Sequence, residues 1–171
     1  MTMRTLAVSA LIVSALGLTA CGGEDSDKDS AATQSTPTPV ATSGDLTDLS
    51  KKPDVKAPEG DAPEKLEIED VVTGKGRAAK SGDSVKVHYV GVAYSNGQQF
   101  DASWDRGTPF DFVLDKGMVI KGWDQGVLGM KVGGRRRLTI PPDLAYGPEG
   151  QPGAIAPNET LIFVVDLVSI A

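Results

Sequence analysis

The sequence predicts an α+β domain, a curved antiparallel sheet of five to six strands wrapped on one short helix. Three observations predict it. Several segments alternate apolar and polar residues, the two-residue period of a half-buried strand. A single segment has helical spacing. Turn-forming Gly, Pro, Asn and Asp fall between these segments rather than within them.

The elements follow in chain order. "KLEIEDVVTG" and "DSVKVHYVGVAY" are the first two predicted strands. In the second, Val85, Val87 and Tyr89 alternate with Lys86, His88 and Val90, so His88 is expected to face away from the core. Ser95-Asn96-Gly97 then reads as a hairpin turn. "FDFVL" is a further strand. Trp123, Val127 and Met130 recur at i, i+4 and i+7, which predicts a helix in "IKGWDQGVLGM". Gly126 and Gly129 weaken it and Gly133-Gly134 end it, so it is expected to be short. "RRRLTIP" follows, with Arg135-Arg136-Arg137 expected on a solvent face with one inward stem. The last strand is "TLIFVVDLVSI". Between Pro141 and Thr160 lies a long Pro- and Gly-rich loop, of a kind that usually has a function.

The 171 residues fit one small domain and additional segments. Residues 1–20 read as a secretory signal: Arg4, then an apolar run from Leu6 to Leu18 too short to span a bilayer. Leu18-Thr19-Ala20-Cys21 resembles the bacterial lipobox, and Cys21 is the chain's one cysteine. The expectation is lipidation at Cys21, a bacterial cell-membrane anchor, and a domain held outside the cytoplasm. Residues 21–60 read as the lipidated Cys and a disordered acidic Pro-Ser-Thr tether, and 61–171 as the folded domain.

A net charge of −6 gives no electrostatic reason to bind nucleic acid. One Cys and one His make an intramolecular disulfide impossible and a zinc site improbable. No G-x-S-x-G nucleophile motif is present. What stands out is "QQFDASWDRGTPFDF". It is polar and turn-rich, yet it holds Phe100, Trp104, Phe110 and Phe112, four of the chain's nine aromatic residues. On local sequence alone, Asp101 reads as a turn cap and Arg106 as a solvated loop arginine.

"VHYVG", "FDASWDRGTPFDF", "MVIKGWDQGVLGMKVGGRRRLTIPPDLAYG" and "LIFVVDLV" together resemble the FKBP-type (macrolide-binding) peptidyl-prolyl cis/trans isomerases. The resemblance covers nearly all of residues 64–171. It implies a pocket of Tyr89, Phe100, Asp101, Arg106, Phe110, Val119, Ile120, Trp123, Tyr146, Ile155 and Phe163. Trp123 would be its floor; Phe110, Phe163, Val119 and Ile120 its walls. Asp101 would face the twisting amide, held by Arg106 and Tyr89, with Tyr146 donating to a ligand carbonyl. Proline-containing polypeptides are the implied substrates and macrolides such as rapamycin the implied inhibitors. No cofactor or metal is implied, because amide rotation breaks no covalent bond. A binding module or chaperone with little catalysis is the alternative. Nothing points beyond a monomer. The family's usual flap His is Gln151 here and the adjacent apolar position is Ala154, departures that bear on which ligands fit. Trp104 has no implied role.

Overall fold

The computed structural model describes residues 46–171. The signal segment, Cys21 and most of the expected tether lie outside the described residues. Six strands form one antiparallel sheet: β1 (Glu67–Val72), β2 (Ser84–Ala93), β3 (Gln99–Ala102), β4 (Phe110–Val113), β5 (Arg135–Ile140) and β6 (Leu161–Ile170). Their order is β1-β5-β6-β2-β3, and β4 also pairs with β2. The two longest strands, β2 and β6, are therefore central, and β3 and β4 share β2's other edge. The expected hairpin turn closes with Gly97 at φ 69° and its N–H donating to Ala93 O at 2.9 Å.

The β3–β4 connection contains a single helical turn, α1 (Ser103–Arg106). The predicted helix is α2 (Lys121–Val127), seven residues long. It ends where Leu128 turns extended (φ −56°, ψ 133°) and Gly129 adopts φ 76°. Trp123, Val127 and Met130 are all buried against the sheet, as the spacing predicted. They meet Val85, Val87, Tyr89, Phe112, Leu138, Ile140, Phe163 and Val165 in the main core. Gly122 and Gly126, whatever they cost the helix, also serve its packing. A Cβ on Gly122 would lie 2.3 Å from Ile140 Cγ2, and one on Gly126 would lie 2.7 Å from Leu138 Cδ1. The glycines let the helix axis approach the sheet.

The opposite face is also covered. Val90, Val92, Ala102, Ile162 and Val164 form a second buried cluster with Val55, and Trp104 packs against it. His88 lies on this side, half-buried and stacked on Trp104 at 4.6 Å. Trp104, without a role in the sequence reading, thus belongs to the outer face.

Two expectations are corrected. The folded unit does not begin at residue 61: Leu46, Pro53 and Val55 are buried, although residues 46–60 form no strand or helix. The arginine run is not a solvent face either, since Arg135, Arg136 and Arg137 are all buried. β5 lies inside the sheet and both its faces are covered. The Arg136 guanidinium bonds Asp70 on β1 (2.6 and 3.1 Å) and donates to the Gly126 and Leu128 carbonyls (2.8 and 3.2 Å). It so satisfies carbonyls that the end of a helix leaves without partners.

Gly122→Ala is expected to lower the urea midpoint. Overpacking against the branched Cβ substituent of Ile140 costs about 1–3 kcal/mol, more than the ~1 kcal/mol helical gain of alanine over glycine. Gly126→Ala should change the midpoint less, because the atoms its Cβ would meet most closely, the terminal methyls of Leu138 at 2.7 Å, are farther off than Ile140 Cγ2 is from Gly122.

Candidate functional site

Aromatic side chains from β2, β3, β4, α2 and β6 converge on the helix side of the sheet. Trp123 is 4% exposed and is the centre of the group. Its ring meets Tyr89 edge-on at 5.0 Å, Phe163 at 5.2 Å and Phe110 at 6.2 Å. Each such pair is worth roughly 0.5–1.5 kcal/mol beyond area burial. Phe100 and Phe163 meet edge-on at 5.5 Å directly over Gly91. A Cβ at Gly91 would lie 2.7 Å from both rings, so strand β2 can carry them only with glycine there.

These rings enclose a pocket of about 270 Å³. Trp123 and Phe163 lie deep in it, while Phe110 and Tyr146 are 38% exposed at its edge. Val119 and Ile120, just before α2, complete the lining together with Tyr89, Phe100 and Asp101. Nine of the eleven residues implied by the resemblance therefore line one cavity. The other two do not. Arg106 stands behind Asp101, and Ile155 is 5% exposed within the main core. Ile155 is drawn in by a tight turn in which Gln151 and Ile155 exchange backbone hydrogen bonds, each 2.8 Å.

One polar cluster interrupts the apolar wall. The Tyr89 hydroxyl donates a short hydrogen bond to Asp101 Oδ2. Arg106 Nη1 donates to Asp101 Oδ1 at 2.5 Å, and Nη2 to the Tyr89 oxygen at 2.9 Å. Burial pushes the Asp101 carboxyl up, but hydrogen bonds from Tyr89 and Arg106 outweigh it and leave it below the usual carboxylate range. Tyr89 is pushed up to about 12, by burial first and by its bond to Asp101 second. Tyr146 is raised by burial and then by the Asp101 charge. At neutral pH the pocket thus holds one carboxylate and two neutral phenols.

Two residues escaped the sequence reading. Met118 lines the pocket mouth and is 61% exposed. Nothing in its position, next to Gly117 in a turn, distinguishes it from a loop methionine. Ser103 is fully buried, and its hydroxyl accepts the Tyr89 N–H at 2.8 Å. It pins the backbone of Tyr89 where β3 gives way to α1. A serine two residues after an aspartate carries no such signal in sequence.

The model of the family described as "FKBP-type peptidyl-prolyl cis-trans isomerase" matches residues 75–168. A curated protein of Streptomyces anulatus named "FK506-binding protein" is 60% identical over 121 residues, 70% of this chain and 98% of that one. A "Probable FK506-binding protein" of Corynebacterium glutamicum is 51% identical over 119 residues, again 70% of this chain and 98% of that one. The solved structure titled "Crystal structure of AtFKBP13" superposes with a TM-score of 0.59 at 40% identity, covering 64% of this chain and 96% of that chain.

The electrostatics give a directional prediction. Raised above its unfolded value of 10, the Tyr89 pKa adds stability that is complete below about pH 10 and is lost as pH rises toward 12. Asp101 is depressed, so its contribution holds above the ordinary carboxylate range and disappears as pH falls through its folded value. In a tyrosinate absorbance titration, Asp101→Asn should move the Tyr89 step down from about 12 toward 10. An unmoved step would show that the Asp101 charge does not act on Tyr89.

Proposed function

The chain belongs to the FKBP-type peptidyl-prolyl cis-trans isomerase family, and from that premise we propose that it accelerates X-Pro rotation in exported polypeptides by holding the twisted amide in its aromatic pocket. The observation that carries the proposal is the ionised Asp101, bonded to Arg106 and Tyr89, on the wall of a cavity floored by Trp123.

The uncatalysed barrier of ~18–20 kcal/mol comes from amide resonance. Rotation to about 90° removes that resonance, leaving a less polar carbonyl and a more pyramidal nitrogen. A planar amide prefers water, whereas a twisted one loses less on entering an apolar site, so the pocket favours the transition state over the ground state. The proline ring would rest on Trp123, between Phe110 and Phe163. Asp101 would lie by the carbonyl carbon, where a fixed negative charge meets the amide's changing dipole. Tyr146 would donate to a ligand carbonyl, and the Ile120 N–H would do the same. FK506-class macrolides and rapamycin would compete for the same surface.

We further propose that Cys21 carries lipid and that the domain works outside the cytoplasm on a bacterial membrane. Support comes from the Arg4 to Cys21 sequence pattern. Cys21→Ser should move the protein from the membrane fraction to the soluble one and abolish metabolic labelling with a fatty acid.

Cis-to-trans conversion of an X-Pro-Phe peptide, with and without rapamycin, tests the activity. The protein should accelerate conversion and rapamycin should suppress it. Asp101→Ala and Phe100→Ala should each lower kcat/KM about tenfold or more, equivalent to ~1.4 kcal/mol of transition-state stabilisation, with near-native circular dichroism. Macrolide binding without acceleration would favour the binding-module alternative.

A further inference from the structure

The polar cluster depends on α1, which is a weak element. It is one turn of four residues with no side-chain N-cap bond. A single turn does not hold itself, because the entropy of fixing its residues exceeds the return from one or two hydrogen bonds. Ser103 secures it from the sheet side. Its outer side is covered by residues 46–55, a strap that runs from β5 to α1.

The strap is tied at both ends. At its start, Arg135 is fully buried and every guanidinium nitrogen is engaged. Nε and Nη2 bond the two oxygens of Asp166 at 2.5 and 2.7 Å. Nη1 donates to the carbonyls of Leu46 and Asp48 at 2.9 and 3.2 Å, and Nη2 to that of Lys51 at 3.1 Å. A buried guanidinium without these acceptors is strongly disfavoured, so the arginine requires the strap as much as the strap requires it. At its far end, Val55 is 7% exposed in the outer cluster, against which Trp104 of α1 packs. Between the two, Lys52 Nζ reaches Asp105 Oδ1 at 2.5 Å, and Asp105 Oδ2 accepts from Gln99 Nε2 at 2.8 Å. Asp105 is the chain neighbour of Arg106, whose guanidinium holds Asp101.

We propose that the strap is a positioning element for the pocket: it braces α1 from the outer face and so keeps Arg106 on Asp101 and Tyr89. The strap touches no substrate and acts through α1. The proposal rests on the isomerase reading for its effect on rate, but not for its effect on Asp101. The groups facing Asp101 are Tyr89, Arg106 and Tyr146. Loss of the Arg106 contact would therefore leave the carboxylate with a donor phenol and no cation.

The test uses the full-length chain. Val55→Asn places an amide in the outer cluster without adding charge, Leu46→Asn does the same at the Arg135 end, and Val55→Ile is the conservative control. Three readouts are taken: trypsin cleavage after Lys51 or Lys56, the Asp101 carboxyl titration followed by carbon NMR, and kcat/KM. Val55→Asn should expose the strap to trypsin and raise the Asp101 midpoint toward the ordinary carboxylate range. It should lower kcat/KM about three- to tenfold, and Val55→Ile should match the wild type. A cleaved strap with an unmoved Asp101 midpoint and rate overturns the proposal, because the strap is then only structural. A strap that stays uncut in both Asn variants overturns it too, because the contacts do not hold it. If Val55→Asn does not fold, Leu46→Asn decides by the same readouts. A wild type without isomerase activity removes the functional reading, and the Asp101 titration still decides the role of the strap.

Discussion

The β2–β6 ladder carries apolar side chains on both faces, so the sheet has to be covered twice. On one face stand Val85, Val87, Tyr89, Phe163, Val165 and Leu167; on the other, Val90, Val92, Ile162 and Val164. One helix cannot cover both. Most other features of the fold follow from this demand. α2 takes the first face, brought close by Gly122 and Gly126. The second face takes α1's Trp104 and the segment before the family-matched region. β5, enclosed by both covers, tolerates consecutive arginines because each cover supplies backbone carbonyls to one of them.

How much of this was legible varies with the kind of signal. Periodicity located β1, β2, β4, β5 and β6 and the buried stripe Trp123, Val127 and Met130, because a side chain's face follows directly from its position in a repeat; the four-residue β3 was too short to show one. The glycines were legible in part: propensity registers their cost, and the helix is indeed only seven residues long, but propensity does not register the approach distance that Gly122 and Gly126 allow. The arginine run misled for a related reason: charge suggests solvent, and only the tertiary structure shows that Leu46, Asp48, Lys51, Gly126 and Leu128 offer acceptors. The start of the folded unit was invisible, since residues 46–60 have no period. They are held by single long-range contacts, and such contacts leave no local pattern.

The pocket was legible chiefly through the resemblance. Aromatics beside Gly and Pro suggested a purpose for "FDASWDRGTPFDF", yet Asp101 and Arg106 had ordinary loop readings until motifs far apart in sequence were combined. The geometry then separates roles that a motif merges. Arg106 supports and does not line, Ile155 is core and does not line, and Met118 lines although the resemblance gave it no pocket role. Ser103 is the residue that only coordinates reveal, because its work is to receive one backbone N–H.

The chain's two tryptophans stand on opposite faces of the same sheet, Trp123 within the aromatic pocket and Trp104 against His88 on the outer side. Nature has in effect fitted the molecule with two lamps, one per face. Emission from a variant keeping Trp123 alone reports what enters the pocket. Emission from one keeping Trp104 alone reports whether the outer cover is seated, since that ring packs against the cluster that holds Val55. Events on the two sides of one sheet can therefore be followed separately in time without attaching a dye.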